Sequence, residues 1–140
     1  MQTILSASPP LVLADDFHAA TNEDWVRDWQ LINNGEVIPI DPSWKLYMQL
    51  QKKSKGDLSV TCSTDNGRLA VVDRAAGKFG LRLKQADAAQ IPPGSYSYDI
   101  VLVAGDGIYR LVSGTITVEQ GITNIPGQEK WTHYPLIFRP

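Results

Sequence analysis

The chain predicts an all-β fold, an antiparallel β-sandwich of seven to eight strands with extended N- and C-terminal arms. Three observations lead there. Apolar and polar residues alternate with period two through most of the chain, and helical periodicity is almost absent. Turn dipeptides recur roughly every 8–12 residues, the spacing of short strands in two packed sheets. The chain has 140 residues, 43% of them hydrophobic, so one core can close without metals or disulfides. A closed barrel of similar strands is the main structural rival.

Residues 1–20, with Pro9-Pro10 and one short apolar run, read as an N-terminal arm or first strand. Trp25, Arg27, Trp29 and Leu31 then share one strand face, with Asp24, Val26, Asp28 and Gln30 on the other. Asn34-Gly35 supplies the positive φ angles of a tight hairpin leading to Val37, Ile38 and Ile40. Pro39 and Pro42 confine that segment to an edge. Trp44, Leu46, Met48 and Leu50 oppose Lys45, Tyr47, Gln49 and Gln51 and are predicted to face the core. A polar turn at Ser54 to Gly56 returns the chain into Leu58, Val60 and Cys62.

Asp65-Asn66-Gly67 is a second turn, followed by Leu69 and Val71 and then by Phe79, Leu81 and Leu83. Gln85 to Gln90 can form one helical turn, stopped by Pro92-Pro93-Gly94. Tyr96, Tyr98, Ile100 and Leu102 alternate with Ser95, Ser97 and Asp99. Gly105-Asp106-Gly107 reverses the chain, and Ile108 to Val118 comes back. The sandwich therefore spans 21–120, and 121–140 is an extended C-terminal arm. Pro126, Pro135 and Pro140 forbid a regular helix there. Trp131, Tyr134, Leu136, Ile137 and Phe138 make the arm too apolar to be left in water, so these five are the expected partner-binding residues.

Thirteen basic and fifteen acidic residues leave a net charge of -2, which argues against nucleic-acid and anionic-membrane partners. The one basic cluster, Lys52, Lys53 and Lys55, reads as a solvated hairpin end. A single cysteine, Cys62, permits no internal disulfide and suits a reducing cytoplasm; its place in the strand pattern makes it a buried structural thiol. The N-terminus lacks a signal-peptide pattern, and no apolar run approaches the length of a membrane span.

No catalytic constellation emerges, so neither an enzyme nor a cofactor is expected. His18 and His133 lie in opposite terminal segments. Asp15-Asp16-Phe17-His18 has ligand-type side chains, but no second cluster at metal spacing completes it. There is no G-x-S-x-G elbow, P-loop or G-x-G-x-x-G. Asp57, Asp65 and Asp73 sit at turns or strand ends without EF-hand spacing. Trp25, Trp29 and Trp44 are expected in the core, and Trp131 as an anchor against another chain.

The run IPPGSYSYDIVLVAGDGIYRLVSGTITVEQGIT resembles the closing segment of immunoglobulin-like domains in tailed-phage structural proteins. The N-terminal domains of baseplate upper proteins are among these. The resemblance is carried by Pro93, Gly94, Tyr96, Tyr98, Asp99, Gly114, Thr115, Val118 and Thr123. The stretch DWQLINNGEVIPIDPSWKLYMQLQKK is similar to the opening strands of the same group. The likeness covers roughly residues 23–123, and it departs at the ends, where that group often continues into a fibre or coiled coil. It implies an immunoglobulin-like sandwich and a non-enzymatic bacteriophage virion protein assembled in the host cytoplasm. The expected place is the tail, baseplate, fibre junction or capsid surface, as a decoration or head fibre. The expected partners are other virion structural proteins in a homo-oligomer or symmetric assembly. The alternative is a carbohydrate- or receptor-binding module using loop aromatics such as Trp131 or Tyr109.

Overall fold

The computed structural model describes residues 2–5, 12–33, 35–54 and 58–124. The strands are β1 (Gln2–Leu5), β2 (Leu13–Ala14), β3 (Phe17–Ala20), β4 (Trp25–Asn33), β5 (Glu36–Val37) and β6 (Lys45–Lys52). They continue as β7 (Leu58–Ser63), β8 (Leu69–Asp73), β9 (Lys78–Leu83), β10 (Gly94–Ala104) and β11 (Gly107–Glu119). One short helix among the described residues, α1 (Gln85–Ala88), joins β9 to β10.

Two sheets result. The first has the order β1-β4-β9-β8, with β5 also on β4. The second has the order β2-β11-β10-β6-β7, with β3 also on β11. With β4, β9 and β8 in one sheet and β6, β10 and β11 in the other, this is an immunoglobulin-like sandwich. The region 21–120 supplies β4 to β11, eight strands.

Residues 2–20 add three more strands, and these run parallel to their neighbours: β1 along β4, and β2 and β3 along β11. The N-terminal segment thus crosses from the edge of one sheet to the edge of the other. Strands of two to four residues carry too little alternation to be read, and a parallel partner 27 residues away for β1 and 99 for β2 and β3 leaves no local signal.

The core lies between the sheets on the expected faces. Leu46, Met48 and Leu50 from β6 face Trp25, Trp29 and Leu31 from β4, with Phe79, Leu81 and Leu83 from β9, all buried. Trp29 stacks on Phe79 at 5.6 Å between ring centroids. Trp44 precedes β6 and is half-buried against the same core. Tyr96, Tyr98, Ile100 and Leu102 fill the β10 side. At the start of β10 the Tyr96 hydroxyl donates to the Pro92 carbonyl, 2.5 Å away. This tyrosine corner ties the crossing segment to the strand it feeds, and Pro92-Pro93 stiffens the carbonyl it grips.

Candidate functional site

The most concentrated chemistry in the domain surrounds Asp15, in the break between β2 and β3. Its backbone N–H donates to the Ser113 carbonyl of β11 at 2.9 Å, and its carbonyl accepts from the Tyr98 hydroxyl of β10 at 2.5 Å. Its carboxylate accepts Arg27 Nε at 2.7 Å, Arg27 Nη2 at 2.6 Å and Trp29 Nε1 at 3.0 Å, all from β4. One residue thereby holds both sheets together. Phe17 packs edge-on to Tyr98, and the Arg27 guanidinium lies 4.6 Å from the Phe17 ring centroid. Gly114 permits this closeness, since a Cβ there would stand 2.1 Å from the Asp15 carbonyl oxygen.

Electrostatics follow the geometry. The hydrogen-bonded Asp15 carboxylate raises the Arg27 pKa above its ordinary value. Burial, and secondarily the Asp15 charge, pushes the Tyr98 phenol far above the tyrosine range. Both Asp15 carboxylate oxygens are occupied by donors, so this constellation holds strands and offers no free base.

The other ligand-type residues of that segment are also engaged. Asp16 accepts the Thr115 N–H at 2.8 Å. His18 lies 3.5 Å from Glu119, both well exposed. No group of three or more His, Cys, Asp or Glu suited to a metal occurs among the described residues. Trp131, His133, Tyr134, Leu136, Ile137 and Phe138, together with Asp57, lie outside the described residues.

Cys62 is fully buried, and burial pushes its thiol from 9.0 up to about 11. A raised folded-state pKa means that the native protein keeps a proton the unfolded chain releases. Stability should therefore fall as pH rises from about 9 towards 11, with Tyr98 adding to the loss above pH 10. Urea midpoints across that range check this, and Cys62→Ala should flatten the slope between pH 9 and 10.

The sheet edges are the remaining surfaces with chemical character, and most are closed. On β7 the Asn66 side chain imitates a neighbouring strand. Its Nδ2 donates to the Thr61 carbonyl at 3.0 Å, and its Oδ1 accepts the Ser63 N–H at 3.0 Å. Arg68 Nη1 adds a second donor to Thr61. On β3 the Ala20 N–H donates to Glu23 Oε2 and its carbonyl accepts Trp25 Nε1, both at 2.9 Å. On β8 the register breaks between Val71 and Asp73, and such bulges turn an edge away from partners.

One flank differs. Strand β1 pairs β4 only from Trp29 to Ile32, while β3 has crossed to the other sheet. Beside β4 at Asp24 to Arg27 lies a gap of about 160 Å³, lined by Phe17, His18, Glu23, Trp25, Val26 and Arg27 among others. A larger groove of about 450 Å³ lies between β7 and α1, where Arg68 pairs with Asp87 at 3.4 Å.

The last described residues are held close to the first gap. The Gly121 N–H donates to Thr21 Oγ1 at 2.9 Å, and Asn22 Nδ2 donates to the Thr123 carbonyl at 3.0 Å. Thr21 and Asn22 form the turn that leads from β3 to β4, so the exit and the gap are neighbours. The Asp15 constellation, the Asn66 cap and this anchored exit were all missed in the sequence; Arg27 on an otherwise apolar face was the one signal of a buried acidic partner.

No protein-family model matches the chain, and no curated protein matches it. Among solved structures, the chain is similar to CopC from Methylosinus trichosporium OB3b, at 14% identity and a TM-score of 0.45 over 84% of this chain and 93% of that one. It is also similar to a family 123 glycoside hydrolase from Clostridium perfringens, at 12% identity and a TM-score of 0.51. That match covers 83% of this chain and 24% of the hydrolase, so the chain spans about a quarter of that protein. At this identity the likeness concerns the fold alone.

Proposed function

We propose that the chain is a structural protein of a bacteriophage virion, an assembly or attachment module held in place by its C-terminal arm. Its place is a tail, baseplate or fibre junction, or the capsid surface. The observation that carries this reading is the anchored exit: Thr21 and Asn22 fix Gly121 and Thr123 before an apolar, proline-punctuated segment begins. A fixed launch point limits the directions an arm can search, which lowers the ordering entropy of docking. Each large apolar side chain of the arm that is buried on a neighbouring protein contributes about 1.5–3 kcal/mol before that entropy is subtracted. The resemblance of residues 23–123 to immunoglobulin-like domains of tailed-phage proteins supplies the setting, and the closed β3 and β7 edges suit a subunit that must not pair at random.

Deletion of 125–140 is expected to leave the sandwich folded and to abolish incorporation into particles, read by mass spectrometry of separated capsid and tail fractions. A truncated protein that melts much earlier yet still incorporates would overturn the arm's role. Absence of the full-length chain from every particle fraction would overturn the virion reading.

A further inference from the structure

The groove between β7 and α1 gathers donors, acceptors and apolar carbon on one surface. Strand β7 is the last of its sheet. The Thr61 carbonyl and the Ser63 N–H both meet the Asn66 side chain, and Arg68 Nη1 reaches the same carbonyl at 3.2 Å. The N–H and C=O of one strand residue turn to the same side, so the Thr61 N–H also faces this outer edge. Among the described residues it has no acceptor there. Two side chains beside it have capacity to spare. Asp87 contacts Arg68 through Oδ2, at 3.4 Å, and its Oδ1 has no donor among the described residues. The Gln90 amide, on an exposed residue, has no partner among them either. Val60 and the buried Ile91 complete the lining with carbon.

We propose that this groove binds a neutral pyranose, one sugar unit of a glycan. Charge selects against an anion: Arg68 is the one cation of the lining, and Asp87 lies against it. Hydrogen bonding selects for hydroxyls, which donate and accept at once. Asp87 Oδ1 accepts, the Thr61 N–H donates and the Gln90 amide does both, so sugar hydroxyls are met in either role. Val60 and Ile91 suit the C–H face of the ring. The groove measures about 450 Å³, inside the range of roughly 300–1,000 Å³ for small-molecule sites. An added peptide strand is excluded, because the Asn66 side chain already holds the strand position beside Thr61 and Ser63. The site uses no residue of the C-terminal arm, so it goes beyond the arm-held reading and stands or falls apart from it.

The test titrates the isotope-labelled full-length chain with glucose, galactose, mannose and N-acetylglucosamine, followed by amide NMR. Each sugar is taken to about 50 mM, enough to saturate a site of millimolar affinity. At least one of the four should shift the Thr61 backbone amide and the Gln90 side-chain amide saturably. Asp87→Ala removes the open acceptor and should weaken binding about tenfold. Gln90→Ala, at an exposed position, should also weaken it and leave the melting temperature unchanged. No saturable shift at Thr61 with any of the four sugars overturns the proposal, as does binding indifferent to both substitutions. Inorganic phosphate shifting the same amides at lower concentration than every sugar overturns it too. A chain that binds no sugar yet enters particles overturns this inference and leaves the virion reading standing. A chain that binds sugar and is absent from every particle fraction does the reverse.

Discussion

Asp15→Ala should lower the unfolding free energy by about 3–5 kcal/mol, the range for removing one partner of a buried ion pair. The loss has several parts. Arg27, with 28% of its side chain exposed, keeps its charge and loses both carboxylate contacts. The Trp29 indole N–H, fully buried, loses its acceptor, which adds the cost of an unsatisfied donor. Asp15→Asn should cost nearly as much, because the amide keeps the shape but cannot take both Arg27 contacts as a charged acceptor. Urea denaturation measures both. A change below about 1 kcal/mol for Asp15→Ala would mean that the two sheets are held by packing alone.

Leu46→Ala should cost about 2–5 kcal/mol, the usual range for an aliphatic deletion that leaves a cavity. Leu46 is 1% exposed in the middle of the β6 inner face. Tyr47, one residue on, points to the outer face and is 36% exposed, so Tyr47→Ala should stay within about 0.5 kcal/mol of the parent. The pair tests register as well as burial, since a slip of one residue exchanges the two environments. Equal losses from the two substitutions would contradict the assigned faces.

The strands legible in the sequence were those with local support. β6, β9, β10 and β11 have five or more alternating residues and a turn dipeptide at one end, and their inward faces are the buried ones. The short helix at Gln85 was legible for the same reason, bounded by Pro92-Pro93-Gly94. Whatever depended on a partner distant in the chain stayed hidden. β1, β2 and β3 exist because β4 and β11 offer parallel edges, and no residue near them announces it. Asp15 looked like one of a polar trio with Asp16 and His18, because its partners Arg27, Trp29, Tyr98 and Ser113 come from three different strands. Asn66 was legible as a turn residue and not as a cap, since its second role needs the β7 backbone beside it. The sequence-predicted partner residues, Trp131, Tyr134, Leu136, Ile137 and Phe138, lie outside the described residues. What the structure adds is the point from which they depart.

The β7 cap also sets a chemical clock. Asn66 is followed by Gly67, which has no side chain to hinder attack of its backbone nitrogen on the Asn66 amide. That attack expels ammonia and closes a cyclic imide, which water reopens at one carbonyl or the other, leaving an aspartate or an isoaspartate in place of the amide. The new carboxylate would face the Thr61 carbonyl with no N–H to offer, turning an attraction into a repulsion. The donor half of this cap is therefore perishable: protein aged in warm alkaline solution would lose the Asn66 N–H one molecule at a time, leaving Arg68 as the remaining side-chain donor to the Thr61 carbonyl.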